Sequence, residues 1–242
     1  VLEQIFKVSQ FPELSVREPD SFTGKLLNLL KTYGILFLAL IAISPTLLMV
    51  DYFVIHVLHY KTISGVQKQG MSQFLHKMGY WKAVVYICLI GPLIEETVFR
   101  LPLSLKKRHI ALGFAAAAFL FSSFFLKDIK SPWLNLSVRL SISILVYVLC
   151  VFTAPKGLSI IDHRFRKHII ILSILLFGLM HIGNYNPIQW PVIWIYPLYV
   201  LPQILMGWAI TYVRFRNGFW WGFLLHCLIN SVSMALSSGH LK

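Results

Sequence analysis

Acidic residues are scarce in this chain. Asp and Glu together number 9 in 242 residues, and all charged residues make up only 13%. A soluble domain carries charge on about a quarter of its residues. This scarcity, beside a hydrophobic share of 57% and a mean hydropathy of +0.71, argues against an ordinary soluble fold. Cysteine is scarce as well. Cys88, Cys150 and Cys227 sit in apolar stretches at unrelated spacings, which argues against a disulfide framework or a thiolate metal site and leaves the redox compartment unread. Internal repeats and low-complexity segments are lacking. The chain opens Val-Leu-Glu without a methionine, which reads as a trimmed or incomplete start, and it shows no cleavable signal pattern.

What the chain has in quantity is long apolar runs. They lie at about 33–58, 80–104, 109–127, 134–153, 168–185, 190–213 and 218–237, each close to the roughly 20 residues that a helix needs to cross the hydrocarbon core. The expected fold is an all-α polytopic transmembrane helix bundle with about seven crossings. Six to eight stay open, because Pro191, Pro197 and Pro202 predict kinks or a break in the sixth run. Residues 1–32, with Pro12 and Pro19, are the only extended stretch of mixed polarity. They are expected as an N-terminal cytoplasmic or interfacial tail, ending in a short amphipathic helix over Phe22–Leu30. Residues 33–237 are expected as the transmembrane helical domain.

The 22 Lys and Arg give a net charge of +13. They gather between the apolar runs, a placement that speaks for membrane topology; membrane lipids are expected partners and nucleic acid is not. Counted by side, they favour the N-terminal side about two to one, which puts the N-terminus in the cytoplasm and the C-terminus outside.

Against this background Ile94-Glu95-Glu96-Thr97-Val98-Phe99-Arg100 stands out. On insertion scales each carboxylate costs about 2.5–3.5 kcal/mol at the centre of a membrane helix. Glu96 and Arg100, one turn apart, share a helix face and can pair, while Glu95 points about 100° away and is left to face a cavity. Pro92 loosens the backbone just before them and admits water or a neighbouring helix. Phe177 and His181 stand one turn apart in the fifth run with Asn184 a turn further, and His226 and Asn230 stand one turn apart in the seventh. Taken singly, each reads equally well as an interhelical polar contact of about 0.6–2 kcal/mol. Depth ties them together. At about 1.5 Å per residue, Glu95 lies about 16 Å from Lys106, His181 about 21 Å from Lys167 and His226 about 15 Å from Arg216.

The chemistry these residue types offer is hydrolysis without a covalent intermediate. A carboxylate sheltered from bulk water is a general base or acid for a reacting water, and histidines share such proton transfers. An asparagine amide and a histidine N–H donate to a developing oxyanion. Glu95, His181 and His226 also match a catalytic zinc set in ligand type, so metal-dependent and metal-free versions both stay open. No Ser, Thr or Cys in the runs has the spacing of a triad.

Taken in order, Glu95-Glu96-x-x-x-Arg100, Phe177-x-x-x-His181 and His226-x-x-x-Asn230 resemble the signature motifs of the CPBP family, the CAAX protease and bacteriocin-processing (Abi) intramembrane proteases. The resemblance covers a core of roughly residues 80–236. It implies cleavage of a peptide bond at a membrane-embedded site, as in type II CAAX prenyl endopeptidases, which remove the last three residues of prenylated proteins. A peptide or lipidated protein is then the substrate and the bacterial cytoplasmic membrane the location. By position, the family's pattern implies Glu95 as the water-activating base helped by His181, and His226 with Asn230 as stabilisers of the oxyanion. Glu96, Arg100, Phe177 and Asn184 support them. One departure stands out: between Arg100 and Phe177 lie two further apolar runs, where many members have about one hairpin. These runs, with Arg139 and the aromatic stretch Phe119 to Phe125, are expected to serve packing or substrate selection. Two other classes remain compatible with the residues. One is a non-catalytic immunity or signalling scaffold of the same family. The other is a proton-coupled carrier, disfavoured by the lack of a repeat.

Overall fold

A computed structural model describes residues 4–5, 7–14, 21–153 and 163–238, and every regular element among them is helical. Pro19 and the centre of the connection after the fourth run lie outside the described residues. The longer elements are α1 (Phe22–His56), α2 (Ile63–Met78), α3 (Tyr80–Val85), α4 (Gly91–Phe99), α5 (Lys107–Phe125), α6 (Pro132–Thr153), α7 (His163–Met180), α8 (Leu201–Asn217) and α9 (Phe219–Ser238). A π turn, Tyr86–Ile90, joins α3 to α4. The chain divides into two compact units, Val1–Pro92 with Ile171–Lys242, and Leu93–Ile170.

Six stretches are long and apolar enough to cross a membrane: Phe22–His56, Lys107–Phe125, Pro132–Thr153, Phe165–Tyr185, Trp190–Asn217 and Phe219–Leu236. The protein is thus an all-α polytopic membrane protein. Of the runs expected from sequence, 80–104 is helical but broken into α3, the π turn, α4 and a 3₁₀ turn at Leu101–Ser104. The sixth run breaks at its prolines into a 3₁₀ turn Trp190–Ile195, a short helix Tyr196–Tyr199 and α8.

In the first unit α1 begins where the Ser21 hydroxyl accepts from Gly24 N at 3.1 Å and continues for 35 residues. The amphipathic stretch from Phe22 is therefore the first turns of a spanning helix, since nothing between it and the apolar run breaks the ladder. Pro45 inside α1 lacks the N–H that Ile41 O would accept, and the Ser44 hydroxyl donates to that oxygen instead at 2.8 Å. Near its start, Asn28 Nδ2 donates to Asn217 Oδ1 (3.1 Å) and the Tyr212 hydroxyl donates to Asn28 Oδ1 (3.3 Å), both on α8. Phe11 is buried against the rings of Tyr212 and Phe215. The α8–α9 turn is tight because position 222 is glycine: a Cβ there would meet Arg214 Cβ at 3.0 Å.

One helix was not legible as such. α2 occupies the connection after the first run, which carries Lys61, Lys68 and Lys77 and reads as a loop by composition. Asp51, buried near the end of α1, accepts from Ile63 N (3.0 Å), Ser64 N (3.5 Å) and the Ser64 hydroxyl, and so caps the start of α2. The same carboxylate accepts from the Tyr199 hydroxyl at 2.6 Å. Around it Val54, Ile63, Tyr185, Val192, Ile195, Tyr196, Tyr199 and Val200 form an apolar core.

In the second unit the chain turns sharply after Arg100. The Leu101–Ser104 turn ends at Leu105, whose φ of 57° is left-handed, and α5 starts at Lys107. The corner packs on α5 at Gly113, where a Cβ would meet Pro102 Cγ at 2.3 Å. α5 and α6 form a hairpin. Arg139 donates from Nε and Nη2 to Phe119 O (3.1 and 2.8 Å), its guanidinium 4.1 Å from the Phe119 ring centroid, and the Ser143 hydroxyl donates to Ala115 O at 2.8 Å. Arg139 and Phe119, singled out in the two extra runs, thus lock those runs to each other.

Candidate active site

The acids lie in the last turns of α4. Glu96 and Arg100 are both fully buried, and Arg100 Nη1 stands 3.4 Å from Glu96 Oε1. A guanidinium with no exposed surface is held against its carboxylate because a lone buried charge of either sign would be far more costly. Glu95, one residue earlier, is only partly buried. The helical period therefore separates the neighbouring acids as expected: one paired and sealed, the other at an accessible face.

Phe177 organises the histidines of the first unit. Its ring is fully buried and meets His181 at 4.8 Å and His226 at 5.7 Å between centroids, both edge-on. His181 Nδ1 lies 2.7 Å from Phe177 O. A carbonyl only accepts, so Nδ1 carries the hydrogen, and a neutral His181 presents Nε2 as its basic nitrogen. α7 ends at Met180 and His181 opens a 3₁₀ turn that runs to Tyr185, which leaves His181 half-buried. Asn184, in the same turn, is exposed, while His226 is fully buried in α9. Close approach of α7 and α8 depends on Gly178, where a Cβ would stand 2.3 Å from Ile204 Cγ1.

Asn230 has a partner that follows from Pro92. In the π turn the N–H of Gly91 donates to Tyr86 O, one residue further back than in an α-helix. In that register the donor to Ile87 O would come from position 92, and proline has none. Asn230 Nδ2 supplies it from α9 at 2.8 Å. The loosened backbone at Pro92 thus admits a neighbouring helix, and one N–H of the Asn230 amide is committed to holding the π turn.

Of the three helical distances to basic residues, one runs along a single helix. His181 lies on the continuation of the helix that carries Lys167. Lys106 is separated from Glu95 by the 3₁₀ corner, and Arg216 from His226 by Gly218 with φ 108°. A rise of about 1.5 Å per residue applies along one helix only. Measured on their own helices, Glu95 is about 6 Å from the end at Phe99 and His226 about 10 Å from the start at Phe219. For zinc, no group of three His, Cys, Asp or Glu side chains able to hold a metal ion occurs among the described residues. Sequence reasoning also passed over Asp51, although the signal was the same one that picked out Glu95: a carboxylate inside an apolar run.

Fold and side chains together define the class: an integral membrane protein whose apolar helices carry a sealed Glu–Arg pair, a partly exposed glutamate, and two histidines on one phenylalanine. Residues 77–232, which contain all of these, match the family described as Type II CAAX prenyl endopeptidase Rce1-like. The chain belongs to that family, which is one of proteases. No curated protein and no solved structure matches the chain.

Proposed function

We propose that the protein is an intramembrane endopeptidase that cleaves a membrane-associated, prenylated peptide with a water activated by Glu95. The observation that carries this reading is the difference between adjacent acids: Glu96 is sealed against Arg100, while Glu95 keeps access to its surroundings. In the reaction, the Glu95 carboxylate takes a proton from water as the water oxygen attacks the scissile carbonyl carbon. His226 and the second N–H of Asn230 donate to the oxyanion that forms. The proton passes to the leaving nitrogen as the C–N bond breaks, with His181 Nε2 sharing in the transfer. Phe177 holds both histidine rings, and Asn184 lies in the turn that carries His181. No step passes through a metal.

The basic residues favour a cytoplasmic N-terminus, so the substrate is expected from the cytoplasmic face, where the freed peptide and the processed lipid-anchored product separate. The test is cleavage of a prenylated, fluorophore-quenched peptide by the protein in proteoliposomes. Glu95→Gln is expected to lower kcat by about 10²–10⁴, with the melting temperature unchanged. Wild-type turnover in that variant would overturn the mechanism.

A further inference from the structure

Asp51 lies outside the stretch that matches the family and is absent from the proposed chemistry. It is nonetheless a buried carboxylate in an apolar run, 7% exposed, with donors from two places. One set comes from the start of α2, through Ile63 N, Ser64 N and the Ser64 hydroxyl. The other is the Tyr199 hydroxyl at 2.6 Å. Capping alone accounts for the first set. The second links α1 to the segment between α7 and α8, which has no long helix of its own.

That segment begins with His181. From His181 to Val200 the backbone consists of two 3₁₀ turns, a cis Asn186–Pro187 bond and one short helical turn. Irregular backbone of this kind is tolerated at membrane depth only where protein supplies its hydrogen bonds and buries it. The apolar core around Asp51 buries it, and a set of hydrogen bonds fixes its backbone. The Tyr185 hydroxyl donates to Tyr199 O at 2.9 Å, and the two rings meet at 5.8 Å. The Tyr196 hydroxyl accepts from Gln189 N at 2.9 Å, and the Gln189 amide exchanges two hydrogen bonds with the backbone of Lys61. α2 packs on the same turn, Gly70 lying against Asn184 O. Tyr199 is thus fastened by its hydroxyl to Asp51 and by its carbonyl to Tyr185, the last residue of the turn that His181 opens.

We infer that Asp51 is a positioning residue for His181, acting through Tyr199 and Tyr185. The inference rests on the proposed catalytic use of His181. At its own end His181 is held by Phe177 O; the other end of the turn is held by this chain of contacts, and both ends are needed to orient a short 3₁₀ turn. Replacing one hydroxyl of the chain removes a contact without removing a ring, so the fold is kept while the turn is loosened.

The experiment compares wild type with Tyr185→Phe, Tyr199→Phe and Asp51→Asn. Tyr212→Phe, which removes a hydroxyl contact from α8 to Asn28 near the start of α1, is the control. Three quantities are read in proteoliposomes: kcat and KM on the prenylated peptide, thermal midpoint, and the rate at which diethylpyrocarbonate modifies His181, followed by mass spectrometry. Expected are a fall in kcat of about tenfold with KM within about twofold, and a change of about threefold or more in His181 labelling. The control should change neither. Labelling and kcat that stay at wild-type values in Tyr185→Phe and Tyr199→Phe overturn the inference. So does an unchanged kcat in an enzyme that His181→Ala inactivates. Full cleavage by His181→Ala itself would instead overturn the catalytic reading, and the labelling rates would still decide the structural link.

Discussion

Arg100 has the most to lose from a small change. It is fully buried, its guanidinium lies against Glu96 and 5.9 Å from the Phe99 ring centroid, and its backbone opens the 3₁₀ turn. Arg100→Ala would leave a buried carboxylate without its counter-charge, and the expected loss is about 3–5 kcal/mol, read as unfolding in mixed micelles. Arg100→Lys keeps the charge but not the planar fork, so an intermediate loss is expected. The Glu95 variant should show the opposite profile, with activity lost and stability kept. A related expectation concerns metal: because water activation is assigned to Glu95, cleavage should survive a zinc chelator at concentrations that strip known zinc peptidases. Loss of activity restored by added zinc would return Glu95, His181 and His226 to the role of ligands. The Glu96–Arg100 pairing and the turning away of Glu95 were legible in the sequence because all three lie within two turns of one helix. Asp51 carried the same signal, but its meaning depended on Tyr199, distant in the chain.

At the level of elements, the π turn between α3 and α4 is a device with two halves. Pro92 removes a donor from one helix and Asn230 returns one from another. Asn230→Ala should therefore cost about 1–3 kcal/mol of stability, the usual penalty for a carbonyl left without a donor away from water. In a Pro92→Ala background the backbone regains its own N–H, and the cost of Asn230→Ala should fall by about 1 kcal/mol; a double-mutant cycle reads this coupling directly. A second contact between elements is the α7–α8 crossing at Gly178. Gly178→Ala places a methyl carbon 2.3 Å from Ile204 Cγ1, with an expected cost of about 1–3 kcal/mol. Ile204→Ala should restore most of it. Pro92 announced where the backbone would loosen, and the three prolines of the sixth run where that run would break, because each lacks the N–H of a regular helix. Gly183 and Pro187 mark the end of the helix before the turn at His181, but Asp51, the partner of Tyr199, lies 148 positions away.

For the whole molecule, the sidedness of everything after α4 is set by whether the broken stretch from α3 to α4 crosses the bilayer. Six other stretches qualify by length and hydropathy, and this one makes about seven if it crosses. In a variant freed of its three native cysteines, a cysteine at Lys130 is expected to react with an impermeant maleimide on intact cells, and one at Arg108 is not. Labelling with the reverse pattern would mean that the α3–α4 stretch does not cross. The lysine-rich connection after the first run weakens the charge count that favours this topology, and α2 explains part of that weakness. Lys68 and Lys77 belong to an amphipathic helix and not to a flexible loop. A helix of mixed polarity has no apolar run to betray it, so composition concealed it.

Properties that depend on near neighbours could be read from the chain alone. These are the helical class, the break at the prolines of the sixth run, the Glu96–Arg100 pair and the turning of Glu95 away from it. Each is set by backbone geometry over a turn or two, or by the length of an apolar run. Folding had to settle the partners. Asn230 finds Ile87 across 143 positions and Tyr199 finds Asp51 across 148. A polar group inside an apolar run announces that it needs a hydrogen bond, but its sequence neighbours do not say which distant group will make it.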